Sequence, residues 1–496
     1  MKALFFFLIG VICIFGAITS CDDKKQPCDC ESNFDWVKKT IEVNDAGFQH
    51  IIDKKGQEAY NIHNQIITEK IKAAKTLTDC AELLSEWLMF FRSAHIGIEL
   101  LTSEADLSTK NTDKKTIKTV KVDISQFNEY LYRKKIADYE GIWEIPGDID
   151  KMEMKKMGIK KEGINYIGFI IESYNDKSHK VKMKIEQYGD SVKNIFYIHG
   201  HTTIEIEKPE LIGKNYLQIG QSIFKRMNST FTPDKLDLLV EKYFKSISSP
   251  FAYMEELNAT TLYLRIPSFG IEYKYIIDKV LVDNKEKIMN TDNLIIDLRD
   301  NGGGSAPSFK ELIPLLYTNP FRATNEEYLS SKLNNRIFLE YSYGKKHCGL
   351  YLGENSREWA RAVYNKLARS RFGEFISFSD EPFHIIQIDT VFESPKNVGI
   401  IINKGCASAT ENFLFVAQQS DKVKLFGETT LGAFDTSTVT CVESPCMEFR
   451  LWYCMTRNMC ISEYAIDDIG IHPDYYFDEN IPQYEWVESV NEMLNQ

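Results

Sequence analysis

Past its N-terminus the sequence has no apolar run long enough to cross a bilayer, which takes roughly 20 residues, so no later helix is expected to span a membrane. Basic charge is not in excess: 59 Lys and Arg stand against 71 Asp and Glu, for a net charge of −12 and a pI near 5.4. A dedicated nucleic-acid binder is therefore not indicated. Neither nucleotide-binding glycine fingerprint, G-x-G-x-x-G or G-x-x-x-x-G-K-[ST], is present. No cysteine pair has zinc-ligand spacing with accompanying histidines, so no metal and no cofactor is expected. There is no internal repeat and no low-complexity tract. What remains is a chain of 496 residues, 43% hydrophobic, a composition that folds. At roughly 100–200 residues per domain, two to four domains are expected.

Two local features read as bland. The basic stretch 151–161 is a solvated face. His199-Gly200-His201 sits in a strand-like alternation, where such pairs are mostly structural or solvent-facing rather than metal ligands.

The N-terminus reads as an address. Lys2 precedes an apolar stretch, Leu4 to Ile18, too short to span comfortably. Ile18-Thr19-Ser20-Cys21 has the shape of a bacterial lipoprotein box. Residues 1–20 are expected to be a signal peptide, Cys21 the lipidated residue and 21–33 a polar tether that includes Cys28 and Cys30. The mature chain is thus expected in the cell envelope, lipid-anchored, on the periplasmic or cell-surface side. Several acyl chains would hold it firmly where one would not. The 11 cysteines suit that compartment. Cys441 with Cys446, and Cys454 with Cys460, are near enough in sequence to bridge neighbouring strands.

Residues 34–97 read as an N-terminal helical bundle, with apolar positions three and four apart around Phe34–Val43, Ala59–Ala74 and Thr78–Phe91. Residues 98–250 alternate and are β-branched and aromatic between Gly, Asn and Asp turns, a β-rich middle domain. From 251 to 496 the pattern is α/β, interrupted by an insert at about 320–395 that reads either as a lid or platform over a site or as a packed subdomain.

Two strand ends carry chemistry. Residues 294–304, L-I-I-D-L-R-D-N-G-G-G, run a buried strand into three glycines, with a helix expected over Ser308–Leu316. Such a run lets backbone N–H groups approach a ligand closely. Asp297 and Arg299 are candidates for a structural ion pair. Residues 397–417 run a second apolar strand through a glycine turn into a helix opening at Ser408. A serine there is either a cap or a nucleophile placed where the helix N-terminus favours developing negative charge. Glu411 suits the first-turn dipole regardless of catalysis.

Together, D-L-R-D-N-G-G-G, S-A-T-E at 408–411 and G-E-T-T-L-G at 427–432 resemble the tail-specific (C-terminal processing) and tricorn-core serine protease superfamily. Arg92-Ser93-Ala94-His95-Ile96-Gly97 resembles the histidine segment of the tricorn branch, and 467–474, D-D-I-G-I-H-P-D, its closing E-x-x-G-V-x-P-D motif. The resemblance implies a ClpP/crotonase-type α/β catalytic domain. It implies Ser408 as nucleophile, His95 as general base, Asp467 as the acid and an oxyanion hole from the backbone N–H of Ala409 with Gly302 or Gly303. A serine hydroxyl needs such a base within reach, and a histidine of pKa roughly 6.5 suits the task.

The chain also departs from the pattern. Ala433 occupies the slot of the catalytic lysine in the tail-specific branch, which favours the histidine branch. Ala94 replaces the serine that precedes the histidine, so either the relay to the acid is rewired through water or Ser93, or the site is weakened. Asp467 is a methylene shorter than glutamate, and Asp468 is its alternative. His347, His384 and His472 read as surface or structural.

The expected function is an exported, lipid-anchored serine endopeptidase acting on protein or peptide substrates. The alternatives are a catalytically weak or inactive relative that binds peptides or small ligands, and a hydrolase of non-peptide esters or amides.

Overall fold

The computed structural model describes residues 29–101, 119–146, 155–172, 180–188, 191–198, 202–206, 208–220, 222–347 and 354–496. The expected signal peptide, Cys21, Cys28, residues 151–154 of the basic stretch and the His199/His201 pair lie outside the described residues.

Six strands form the central sheet, in the order Tyr253–Asn258, Thr261–Arg265, Asn293–Asp297, Asn397–Ile402, Val423–Gly427 and Tyr475–Tyr476. The first pair is antiparallel and every later pair parallel. Parallel neighbours need crossovers. Lys274–Asp283 lies between the second and third strands in sequence, and Ala409–Ala417 between the fourth and fifth.

The central strands are apolar throughout because both faces are covered. Leu262, Leu264, Leu294, Ile296, Val398 and Ile400 pack in the cluster that includes Phe413 and Leu414. Their alternating neighbours Tyr263, Ile295, Ile401 and Phe426 join Trp486 and Val490 of the C-terminal helix Trp486–Leu494.

Three sequence expectations change here. The helix expected over Ser308–Leu316 is broken into short 3-10 pieces, Ala306–Ser308 and Lys310–Leu312, before one α turn, Ile313–Leu316. Pro307 and Pro314 each remove an N–H donor and restrict the residue before them. Cys30 is not in a tether: it opens the helix Cys30–Asn44 and is disulfide-bonded to Cys80. Cys441 and Cys446 are each disulfide-bonded, whereas Cys454 and Cys460, expected as a possible bridge, are free and buried.

The N-terminal helices are Cys30–Asn44, Phe48–Lys55, Gln57–Ile71 and Leu77–Leu88. They do not close a core of their own. Val37, Ile41, Leu84 and Trp87 share one cluster with Phe338 and Val363 of the insert and with Leu451 and Tyr453 of the strand Phe449–Asn458. That strand is the backbone of a second sheet. It pairs antiparallel with Gly97–Leu100, with Thr436–Glu443 and with Glu326–Leu329. The register Gly97↔Trp452 sets the segment just after His95 beside the C-terminal half of the chain.

Among the described residues, the middle region holds one antiparallel sheet of nine strands between Gly141 and Arg226, in which Gly141–Glu144 pairs with Ser222–Arg226 inside the sheet. Its own core includes Trp143, Met157 and Met183. No helix among the described residues is long and apolar enough to cross a membrane.

Candidate active site

Ser408 stands between the strand Asn397–Ile402 and the helix Ala409–Ala417 with φ 58° and ψ −119°. A non-glycine residue in that region is strained and persists only where its surroundings over-determine it. Those surroundings are specific. Ser408 N–H donates to Glu411 Oε2 at 3.0 Å. Asn403 ties the two strand ends together, accepting from Asp300 N–H and donating to Asp300 Oδ1, both at 2.9 Å.

The glycine run fits against this turn. A Cβ on Gly303 would lie 2.6 Å from Ala407 O and 2.8 Å from Ala409 N; one on Gly304 would lie 2.3 Å from Gly270 N. Both glycines have positive φ, 99° and 141°, so no other residue fits at either position. Gly303 N–H is already donated to Asn301 Oδ1 at 3.0 Å. Of the three glycines, Gly304 lines the cavity in front of Ser408, together with Ala409. Ala409 is the first helical residue, so its N–H has no intrahelical acceptor.

That cavity has a volume of about 620 Å³ and is lined by both Ser408 and His95, 313 positions apart in sequence. The insert contributes Tyr341, Ser356 and Trp359 to its wall. His95 has φ 60°. Its Nδ1 lies 2.7 Å from Thr436 O, and a carbonyl can only accept, so Nδ1 carries the proton and Nε2 keeps its lone pair. Burial lowers the imidazole pKa below its ordinary value, and the Arg92 guanidinium adds to this; the Thr436 hydrogen bond acts the other way. The neutral ring is therefore favoured. His95 and Ser408 are not hydrogen-bonded to each other in this structure.

Arg92 anchors the histidine segment. It is buried and forms a two-pronged pair with Asp45 at 2.9 and 2.5 Å, and its Nη2 donates to His95 O at 3.3 Å. Asp45 Oδ2 also accepts from Cys454 N–H at 3.1 Å, which fastens the N-terminal helices to the second sheet.

A model of peptidase family S41 matches residues 260–477. That span is an S41 peptidase region, and the chain is a serine-type peptidase. The matched span holds the glycine run, Ser408, Glu411 and Asp467, and leaves His95 outside it. The crystal structure of mature CPAF has the same fold at 12% identity, with 94% of this peptidase and 96% of that chain covered and a TM-score of 0.51. The tricorn protease also aligns, at 12% identity, 95% and 37% coverage and a TM-score of 0.38. The photosystem II D1 C-terminal processing protease aligns at 10% identity, 95% and 98% coverage and a TM-score of 0.37. Among curated proteins, none matches the peptidase in sequence.

The acidic residues of the peptidase are arranged in three groups. Asp297 and Arg299 form a fully buried truss: the carboxylate accepts from Arg299 Nη2 at 2.6 Å and from Tyr263 OH at 2.8 Å. Asp297 is desolvated, yet the flanking Arg299 and Arg265 guanidiniums hold its carboxyl below the usual range.

Asp467 does not touch His95. Its Oδ1 accepts from Phe434 N–H at 2.7 Å and Asp435 N–H at 2.8 Å, while Asp435 accepts in return from Ile466 and Asp467 N–H. Burial, then the neighbouring Asp435 charge, raises the Asp467 carboxyl to about 7. Ser93 bonds Asp468 rather than Asp467, with N–H and Oγ donating to one oxygen at 2.9 and 2.5 Å.

The third group is Glu411, which sequence reading left as a dipole complement. It is fully buried and accepts four hydrogen bonds: Thr430 Oγ1 at 2.5 Å, Gly432 N–H at 2.8 Å, Ala433 N–H at 2.7 Å and Ser408 N–H. It joins the S-A-T-E turn to the G-E-T-T-L-G-A segment. His472 bonds Thr429, His347 the Cys441 carbonyl and His384 Asn325, all away from the serine.

Proposed function

We propose that this peptidase is an endopeptidase that uses Ser408 as nucleophile and His95 as general base. The reading is carried by one observation: a serine on a strained turn shares a cavity with a histidine whose Nδ1–H is already committed to a carbonyl, leaving Nε2 as a proton acceptor. Ser408 Oγ attacks the scissile carbonyl as Nε2 takes its proton. The N–H of Ala409, with one from the glycine run 302–304, stabilises the oxyanion, each donor worth about 3 kcal/mol of barrier. Imidazolium then protonates the departing amine, and water, deprotonated by the same ring, frees the acyl group. Gly304 is favoured as the second donor, because Gly303 N–H is engaged by Asn301.

Thr436 O takes the part of the orienting acceptor that a carboxylate plays in the common triad. Asp467 acts one step removed, by holding the 434–435 backbone that leads into Thr436. Cleavage of an unfolded protein substrate by the purified chain, lost in both Ser408→Ala and His95→Ala, is the expected result. Cleavage that survives either substitution refutes this assignment.

We further propose a lipid anchor at Cys21 and a location in the cell envelope. The lipoprotein-box spacing of residues 18–21 supports it, and so do the disulfide Cys30–Cys80 and the disulfide-bonded state of Cys441 and Cys446, which suit an oxidising compartment. Metabolic labelling with a fatty-acid probe that a Cys21→Ala variant fails to take up is the expected outcome.

A further inference from the structure

The cavity in front of Ser408 opens beside a second one of about 820 Å³, and four residues line both: Ala306, Pro307, Glu326 and Asn412. Among the described residues, Glu326 is the only carboxylate in the wall of the catalytic cavity, and none of them supplies a lysine or arginine to that wall. One of its oxygens accepts from Ser437 Oγ at 2.6 Å. Its sequence neighbour makes the contrast. Glu327 has its own cation, Arg457, whose Nε donates at 2.6 Å. Among the described residues no ion pair holds Glu326, and in the second cavity Lys274 is paired with Asp278 while Lys310 is exposed. Glu326 is thus a half-buried carboxylate at a substrate-sized opening, with a hydroxyl on one oxygen and, among the described residues, no paired cation.

We propose that Glu326 selects substrates bearing a lysine or arginine side chain next to the scissile bond. The inference rests on the serine-peptidase reading of the same cavity. Desolvating a carboxylate without a partner is costly, and the cost is relieved when a ligand supplies the opposite charge and its hydrogen-bond donors. Burial pushes the Glu326 carboxyl above its ordinary pKa, with the Ser437 hydroxyl offsetting part of it, so a bound cation would stabilise the charged form. A guanidinium matches two carboxylate oxygens at once, so arginine should be favoured over lysine. The apolar part of the wall, from Tyr341, Trp359 and Phe434, suits the aliphatic stem of such a side chain.

The test uses internally quenched peptides that differ at one position at a time, carrying arginine, lysine, glutamate or citrulline, the neutral isostere of arginine. The expected result is a kcat/KM about tenfold or more higher for arginine than for citrulline at one position beside the cleaved bond. In Glu326→Gln that ratio falls toward one, and in Glu326→Asp it is partly kept. The ratio is measured within one enzyme preparation, so a reduced folded fraction cancels. Fluorophosphonate labelling of Ser408 in the wild type is followed in parallel. Labelling with no basic preference at any position overturns this inference alone, as does an unchanged arginine-to-citrulline ratio in Glu326→Gln. Failure to label the folded wild type overturns the reading beneath it and this inference with it.

Discussion

Replacing Glu411 by glutamine tests whether the strained turn at Ser408 is held from behind. The carboxylate receives four donors, two on each oxygen: Thr430 Oγ1 and Gly432 N–H on Oε1, Ser408 N–H and Ala433 N–H on Oε2. Glutamine keeps the shape but has one oxygen. Whichever way the amide turns, two buried donors lose their acceptor and face an NH2 group. Each unsatisfied buried donor costs about 1–3 kcal/mol, so the substitution should cost about 2–6 kcal/mol. The loss is also local. If the NH2 faces Ser408 and Ala433, the restraint on the φ 58° conformation is removed; if it faces Thr430 and Gly432, the neighbouring segment loosens instead. The expected readout is a lower urea midpoint together with serine labelling slowed at least tenfold. A variant with wild-type midpoint and labelling rate would refute the idea that Glu411 holds the turn.

Three other outcomes are expected. Asp467→Asn keeps an oxygen for the Phe434 and Asp435 N–H groups, so it should slow catalysis less than tenfold, where loss of a direct triad acid costs about four orders of magnitude. It should also change the pH dependence of stability: a carboxyl raised to about 7 on folding holds a proton that the unfolded chain has released, so wild-type stability falls as pH rises from about 4 through 7. A melting series on the Asn variant should show that slope reduced. Arg92→Leu strands the buried Asp45 carboxylate and releases the His95 carbonyl, costing about 3–5 kcal/mol in a chemical melt. Removing Cys30–Cys80, which spans 50 positions, should cost about 4 kcal/mol on the loop-closure account, read as a lower melting temperature of the Cys30→Ala/Cys80→Ala variant.

Much of the α/β fold around the candidate site was legible because its signals are local. Apolar strands ending in glycine turns announce crossovers, and Ser408 and His95 each stand beside a recognisable run. What was not legible depends on partners distant in sequence. The helices 30–88 read as a self-contained bundle because their periodicity is their own, yet their apolar faces close only against the insert and the strand Phe449–Asn458. The four bonds of Glu411 span residues 408 to 433, and nothing in S-A-T-E distinguishes a buried acceptor from a solvated first-turn acid. Ala94 left open how the histidine is oriented. The structure answers with a backbone carbonyl, Thr436 O, a group that no side-chain motif can advertise. Glu326 lies in the insert, where one acidic residue among many carried no signal until two cavities placed it at their junction.

The account depends most directly on an activated serine. A fluorophosphonate probe applied to the purified chain, with the modified residue located by mass spectrometry across a pH series, addresses it in one experiment. The account predicts adduct on Ser408, abolished by His95→Ala, and a rate that is half-maximal below pH 6.5, because a lowered imidazole pKa leaves the base neutral further into acid. Adduct at another serine, labelling indifferent to His95, or a half-maximal pH above 7 would contradict it.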